Sequence, residues 1–136
     1  MPNIDITYQG DLRCSAVHLP SSSAIETDAP VDNEGKGERF SPTDMVGAAL
    51  GTCMATIMGI LARRKGISLE GLKIQVAKTM TNTPPRRIAM LETHIHMPLP
   101  ADHPERVALE RGALTCPVHH SLHPDIEAPV VFHYEG

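Results

Sequence analysis

The sequence predicts one α+β domain in which an antiparallel sheet packs against a long apolar helix and a shorter second helix. Three features lead to this prediction: alternating apolar residues near the N-terminus, an uncharged segment from Met45 to Ala62, and two further alternating segments after it. Strands segregated from helices are typical of the α+β class. Since 136 residues with 41% hydrophobic content suffice for a single core, we assign residues 1–136 to one domain.

The N-terminal part predicts a β-hairpin followed by a third strand. Apolar side chains alternate along the two predicted arms: Ile4, Ile6 and Tyr8 on the first, Leu12, Cys14 and Ala16 on the second. Gln9-Gly10-Asp11 supplies the turn between them. Ser22 to Glu26 predicts a short third strand, and the polar segment from Asp28 to Arg39, rich in Gly and Pro, predicts a loop.

The long helix has clear start and stop signals. Ser41 is the expected N-cap, Pro42 the first helical residue, and Gly66 the terminator after a basic last turn. These limits place Cys53 near the middle of the helix. An uncharged segment of this length can cross a membrane, but its Gly, Ala and Thr content makes it only moderately apolar. We therefore predict a buried central helix and no membrane association.

The second half of the chain predicts two longer strands, a helix and a final strand. Their expected limits are Leu69 to Thr79, Arg87 to Met97, Asp102 to Leu114, and Ile126 to Tyr134. The first two are separated by the turn-forming segment Asn82-Thr83-Pro84-Pro85, so we expect them to pair antiparallel.

Composition excludes several classes of function. The formal net charge is −4 and the basic residues form no extended cluster, which argues against a nucleic-acid partner. An odd number of cysteines, 3, without an N-terminal signal sequence predicts a cytoplasmic protein with free thiols. Glycine-rich phosphate loops, Gly-x-Ser-x-Gly and Cys-x-x-Cys are all missing, so we expect no cofactor.

The cysteines are the candidates for chemistry. Pro117 after Cys116 predicts a helix start there, and a thiol at a helix N-terminus is favoured as thiolate. Local reasoning therefore names Cys116 as the reactive thiol. Cys53 on an apolar helix would need a cation from elsewhere, and spacing alone does not choose between Arg13 and Arg39. Cys14 is expected to be a packing residue.

Histidines raise the question of a metal site. His94 and His96 share a predicted strand face, and a second group lies in one short segment: Cys116, His119, His120 and His123. Neither group has the paired spacing of a zinc finger. We therefore predict no metal site.

Two segments carry a family resemblance. Phe40-Ser-Pro-Thr-Asp-Met-Val-Gly-Ala-Ala-Leu-Gly-Thr-Cys-Met54 and Leu114-Thr-Cys-Pro-Val-His-His-Ser-Leu122 resemble the OsmC/Ohr family, the osmotically inducible protein C-like and organic hydroperoxide resistance proteins. Pro42 and Cys53 keep the family's interval of 11 residues, and the likeness runs from Phe40 to the C-terminus. The resemblance implies an OsmC-like α+β fold in an intertwined homodimer with sites at the subunit interface.

The resemblance also implies a two-cysteine peroxidase acting on organic hydroperoxides. In this hypothesis Cys53 attacks the peroxide and becomes a sulfenic acid, and Cys116 then forms a disulfide that an external thiol reductant reduces. The peroxidase subgroup activates its nucleophile with an arginine, matched here by Arg13 better than by Arg39. A glutamate ten residues before the cysteine holds that arginine; Thr43 stands in its place, and the adjacent Asp44 is our candidate substitute.

The alternative hypothesis is a binding protein rather than an enzyme. An OsmC-like protein without peroxidase activity would bind a thiol or a small apolar ligand beside Cys53. In either case we expect Met54, Met58 and Met90 to line the substrate pocket, because methionine adapts to irregular apolar ligands.

Overall fold

The computed structural model describes residues 2–135 and confirms the α+β class. The elements in chain order are β1 (Ile4–Gly10), β2 (Arg13–His18), β3 (Ser23–Asp28), α1 (Pro42–Arg64), β4 (Lys73–Met80), β5 (Ile88–Pro100), α2 (Arg106–Leu114), α3 (Pro117–Ser121) and β6 (Val130–Glu135). They form two three-stranded sheets, ordered β1-β2-β3 and β4-β5-β6. The chain divides into two compact units between Val46 and Gly47, and each is described by itself. The assignment of residues 1–136 to a single domain stays a prediction.

The first unit contains the predicted hairpin and third strand. Ile6 on β1 lies opposite Ala16 on β2, which in turn lies opposite Ile25 on β3, and both pairings are antiparallel. Asp11 and Leu12 form the tight turn with positive φ values of 52° and 64°, the backbone region that two-residue hairpin turns use. The expected loop after β3 contains one 3₁₀ turn at Val31–Asn33.

Helix α1 begins and ends as its sequence signals predict. Ser41 Oγ accepts the backbone N–H of Asp44 at 3.0 Å, and a carboxylate oxygen of Asp44 accepts the N–H of Ser41 at 3.0 Å. This reciprocal pair is a capping box, which satisfies two amide donors that a helix start leaves free. At the other end Gly66 has a φ of 69°, and the N–H of Ile67 reaches back to the carbonyl of Ala62 at 2.9 Å.

Within the second unit, α1 packs one face against β4. Leu50, Met54 and Met58, spaced four residues apart, are fully buried. Gly51 permits a close approach: a Cβ at this position would lie 3.3 Å from Val76 Cγ2 and 3.4 Å from Ile74 Cγ2. The absence of a side chain at Gly51 therefore allows α1 to lie close to β4.

The opposite face of α1 is exposed in the single chain, notably at Thr52, Thr56 and Ile60. Among the described residues α1 is the one helix long and apolar enough to cross a membrane, with a mean hydropathy of 1.9. Core helices of soluble proteins meet the same criterion, so it is weak evidence for a span.

The sheet of the second unit has β5 at its centre. β4 pairs with it antiparallel, as predicted, and β6 pairs with it parallel, with Ile95 opposite Phe132. β4 begins four residues later than the predicted start at Leu69, because Gly71 has a φ of 90° and the N–H of Leu72 closes a turn onto the carbonyl of Leu69. β6 likewise begins at Val130 rather than Ile126.

Helix α2 is shorter than the sequence indicated. It begins at Arg106, whereas the predicted start was Asp102. The intervening residues form turns, in which the N–H of His103 bonds to the carbonyl of Pro100 at 3.0 Å and that of Arg106 to the carbonyl of His103 at 3.1 Å. Pro104 removes one amide donor from this segment.

Candidate functional site

The structure brings Cys53 and Cys116 together within the second unit. Cys53 lies near the middle of α1 and is half-buried, whereas Cys116 is fully buried at the start of α3. Both are free thiols, and they lie close enough for Cys53 to raise the pKa of the Cys116 thiol. A thiol with partial access to solvent therefore lies beside one with none.

Cys116 occupies the helix-start position that its sequence predicts. It is the N-cap of α3, Pro117 is in the first turn, and the Cys116 sulfur accepts the N–H of His119 at 3.4 Å. Burial nevertheless raises the pKa of the Cys116 thiol; the His119 N–H lowers it, and the Cys53 thiol raises it again. The net direction is upward. The local expectation of a thiolate at Cys116 is therefore wrong, because desolvation outweighs the helix start.

A shallow cavity of about 360 Å³, open to solvent, borders Cys53. Its walls come from the exposed side of α1 and the first turn of α3: Ala49, Thr52, Cys53, Thr56, Ile57, Pro117 and Val118. This volume lies at the lower end of the range typical of small-molecule sites, about 300–1,000 Å³. The mostly apolar walls suit a ligand with a hydrocarbon portion.

The described lining of this cavity does not include Met54, Met58 or Met90. Met54 and Met58 are fully buried in the core, and Met90 is half-buried on β5. Helix geometry explains why Met54 does not line the cavity. Consecutive residues of an α-helix point about 100° apart, so Met54 lies on a different face of α1 from Cys53. The i+3 and i+4 neighbours of Cys53 share its face, and this rule could have identified Thr56 and Ile57 from the sequence.

Arg13 lies in the first unit, where two carboxylates fix its guanidinium. It is directly opposite Asp28 in the β2–β3 register. Nε and Nη2 donate to the two carboxylate oxygens of Asp28 at 2.8 and 2.9 Å, and Nη2 also donates to Glu38 at 3.0 Å. The Arg13 hydrogen bonds lower the pKa of the buried Asp28 carboxyl, and the same contact raises the pKa of Arg13.

Sequence reasoning missed Asp28 and Glu38 as the partners of Arg13. The charge pattern alone could not identify them, because the pairing depends on the β2–β3 register and on the loop that follows β3. Asp44, which we expected to orient Arg13, accepts the Ser41 N–H in the capping box. Thr43 Oγ1 lies 3.1 Å from Ser41 Oγ at the same helix start. A catalytic contribution from Asp44 stays a prediction.

Arg39, the other candidate cation, has a looser environment. Its Nε lies 3.6 Å from Glu26, and Nη1 donates to the backbone carbonyl of Glu38 at 2.9 Å. Its side chain is 48% exposed, against 28% for Arg13. Arg13 is thus the more rigidly held of the two, and activation of Cys53 by either residue stays a prediction.

The described histidines do not belong to a metal centre with three or more protein ligands. Within residues 2–135, no group of three or more His, Cys, Asp or Glu side chains is arranged to hold an ion. His119 serves the thiol site through its backbone N–H. His94 on β5 and His133 on β6 lie together, with ring nitrogens 2.8 Å apart.

Comparison with known proteins supports the resemblance. Residues 35–129 match the family model of the OsmC-like protein. A crystal structure from Psychrobacter arcticus, named for an osmotic stress induced and detoxification response, is 47% identical, with 98% of this chain and 96% of that chain covered and a TM-score of 0.92. No curated protein sequence matches significantly.

More distant structures share the fold. An organic hydroperoxide resistance protein OsmC from Legionella pneumophila is 16% identical, with 98% of each chain covered and a TM-score of 0.74. An OsmC-like protein from Mycoplasma pneumoniae is 17% identical, with 100% of this chain and 98% of that chain covered and a TM-score of 0.79. The matched family region contains both site cysteines. The chain therefore belongs to the OsmC-like family.

Proposed function

We propose that this protein is a thiol-dependent peroxidase that reduces organic hydroperoxides through Cys53 and Cys116. The observation that carries the proposal is the pairing of a half-buried thiol with a neighbouring, fully buried one beside an apolar cavity. Membership of a family that includes organic hydroperoxide resistance proteins supports it.

The two cysteines differ in access to solvent, and this difference supports separate roles for them. Cys53 contributes to the cavity wall, so a peroxide in the cavity can reach its sulfur. Cys116 is 0% exposed, so an external peroxide cannot approach it directly. Cys53 is thus the attacking thiol, and Cys116 reacts only with a neighbour that is already in place.

The proposed reaction proceeds in two balanced steps. The Cys53 thiolate attacks one peroxide oxygen; the S–O bond forms, the O–O bond breaks, and the alkoxide takes up a proton and leaves as an alcohol. The resulting sulfenic acid is attacked by the Cys116 sulfur, which forms the disulfide and releases water. Two thiols of an external reductant then reduce the disulfide, so that the peroxide is the oxidant and the external thiol the final electron donor.

The environment of Cys116 gives these steps an order. Part of the upward shift in the Cys116 pKa comes from Cys53, both as a hydrogen-bond partner and as a negative charge. A neutral sulfenic acid removes the charge. Oxidation of Cys53 therefore makes Cys116 easier to ionise, and so primes the resolving step only after the peroxide has reacted.

The cavity predicts a preference for peroxides with an apolar tail. Ala49, Ile57 and Val118 can cover hydrocarbon, and each buried methylene contributes about 0.8 kcal/mol, or about fourfold in rate if the contact persists in the transition state. Hydrogen peroxide has no such group. We expect cumene hydroperoxide to oxidise Cys53 at least about tenfold faster than hydrogen peroxide.

Rapid-mixing kinetics with mass mapping of cysteine-containing peptides tests the proposal. Cys53→Ser should abolish turnover, whereas Cys116→Ser should still consume one equivalent of peroxide and stop at the sulfenic acid. Cys14→Ser is the matched control and should retain both steps. Turnover that survives Cys53→Ser, or equal rate constants for the two peroxides, would contradict the proposed mechanism or its substrate class respectively.

One observation favours a non-catalytic alternative. The short neutral side chain of Thr43 stands where the peroxidase subgroup of the resembled family has a glutamate, and its hydroxyl lies beside Ser41 Oγ. A protein of this kind would use the cavity beside Cys53 to bind a thiol or a small apolar molecule. Absence of a Cys53–Cys116 disulfide after one equivalent of cumene hydroperoxide, combined with reversible ligand binding, would favour this function.

We further propose that the protein acts as a homodimer in the cytoplasm. Ile6, Ala16 and Ile25 form an apolar row across the β1-β2-β3 sheet, and Ile6 and Ile25 are 69% and 46% exposed in the single chain. A second copy that covers such surfaces would remove apolar area from water. Sedimentation at micromolar concentration should give twice the chain mass; a 14.7 kDa particle would contradict the dimer.

A further inference from the structure

We infer that the outer face of strands β5 and β6 carries a binding site for one divalent transition-metal ion, with His94 Nδ1 and His133 Nε2 as its protein ligands. The site is separate from the cysteines and independent of the proposed peroxidase activity. Imidazole nitrogens suit Zn²⁺, Ni²⁺ and Cu²⁺ rather than Mg²⁺ or Ca²⁺.

The sheet topology places the two histidines together. His96 on β5 lies opposite His133 on β6 in the parallel register, and His94 is two residues from His96 on the same face. The alternate residues of β5, Thr93 and Ile95, are fully buried on the core side. The histidines therefore project from the outer face, where His94 is half-buried and His133 is exposed.

The ring nitrogens already converge. His94 Nδ1 and His133 Nε2 are 2.8 Å apart, a separation that requires one shared proton and leaves at least one lone pair directed into the gap. A metal ion bound at about 2.0–2.1 Å to both nitrogens in tetrahedral geometry separates them by about 3.4 Å. The rings must therefore move apart by about 0.6 Å, and because they are nearly coplanar, with centroids 5.1 Å apart, each must also turn so that both lone pairs point at the ion.

Glu92 fixes the protonation of His94 in the form that a metal needs. Its carboxylate lies 3.2 Å from His94 Nε2. An ionised carboxylate only accepts, so a neutral His94 that bonds to it carries its proton on Nε2 and presents the Nδ1 lone pair toward His133. A carboxylate behind a ligating imidazole recurs in metal sites, where it orients the ring and increases its basicity.

His96 supports the site without joining it. Its ring stacks on that of His133 with centroids 4.6 Å apart and an interplanar angle of 13°. Its Nε2 is 3.1 Å from Gln75 Oε1 on β4 and is therefore already engaged. The stack holds the His133 ring in plane, and the ion completes its coordination with water because the protein supplies two ligands.

The test is a Zn²⁺ titration of reduced, folded Cys53→Ser protein, followed by NMR of the imidazole nitrogens and by calorimetry. The serine variant removes the thiol pair as a competing zinc site. We expect saturable shifts at His94 Nδ1 and His133 Nε2, and the affinity order Cu²⁺ above Zn²⁺ and Ni²⁺ above Mn²⁺ in parallel titrations.

Variants assign the ligands. His133→Gln should weaken Zn²⁺ binding at least about tenfold, and Glu92→Gln by about tenfold. His123→Gln, which changes a histidine with a 64% exposed side chain in a loop, is the matched control and should stay within about twofold. Equal affinity in His133→Gln, or shifts confined to other histidines or to the cysteines, would overturn the inference. Circular dichroism of each variant verifies that the comparison is between folded proteins.

Discussion

Oxidation of the reduced protein by one equivalent of cumene hydroperoxide should raise its thermal stability, because the proposed disulfide closes a long segment of chain. Cys53 and Cys116 are 63 residues apart in the sequence. In the chain-entropy description a crosslink of this span disfavours the unfolded state by roughly 4 kcal/mol, with any native-state strain subtracted. For a chain of this size the corresponding rise in Tm is on the order of 10 °C.

Differential scanning calorimetry before and after oxidation measures this change, and mass mapping identifies the linked peptides. Cys116→Ser is the matched control: it should reach the sulfenic acid and show no comparable rise in Tm. An intramolecular Cys53–Cys116 disulfide with an unchanged or lower Tm would refute the reasoning, since the native state would then have to distort to form the bond. A disulfide found between two chains would refute the assignment of Cys116.

Three further predictions concern the polar contacts. Arg13→Ala should slow alkylation of Cys53 at neutral pH at least about tenfold. If the rate is unchanged in Arg13→Ala but falls in Arg39→Ala, Arg39 is the activating residue. Arg13 lowers the pKa of Asp28, so this carboxylate stabilises the fold above about pH 3.9 and the effect is lost as the pH falls further. Asp28→Asn should therefore flatten the acid dependence of Tm. The Tyr134 hydroxyl on β6 donates a hydrogen bond to the Glu110 carboxylate on α2, and burial together with this bond raises the Tyr134 pKa. Tyr134→Phe should therefore cost about 1–2 kcal/mol in urea unfolding and reduce the loss of stability above about pH 10.

The local signals were sufficient for most of the fold. Ser41, Pro42 and Gly66 act within a turn of the helix they delimit, and the hairpin alternation acts between adjacent strands, so sequence reasoning located α1 and the β1–β2 pair. The predicted start of β4 at Leu69 is too early. The apolar alternation continues through this segment, but the positive φ of Gly71 turns the backbone and interrupts the strand. The parallel pairing of β6 with β5 also lay beyond the local pattern.

The site was less accessible to sequence reasoning because its contacts join distant residues. Both cysteines could be identified, and the resemblance rather than their spacing paired them. The contact between Arg13 and Asp28 requires the strand register, and the Glu38 contact requires the path of the loop. Met54 and Met58 were placed in the pocket by residue type, whereas the helical angle decides which side chains of α1 face Cys53 and both are buried in the core. A contribution from Met90 on β5 stays a prediction.

Cys116 illustrates how a correct local rule can give the wrong electrostatic result. The sequence places its sulfur at a helix start, and the His119 N–H is where that rule puts it. The stabilisation offered by one amide is outweighed because the thiol is fully buried and adjoins a second thiol. In the proposed mechanism, the same burial suits Cys116 to the resolving step rather than to attack, because it keeps the thiol from external peroxide and raises its pKa. If this reasoning holds, a substitution that opens solvent access to Cys116, such as Val118→Ala in the cavity wall, should increase its alkylation in the reduced protein while leaving Cys53 oxidation within about threefold. Peptide mapping after timed alkylation measures this, and unchanged labelling of a folded Val118→Ala protein would show that burial by this wall is not what protects the thiol.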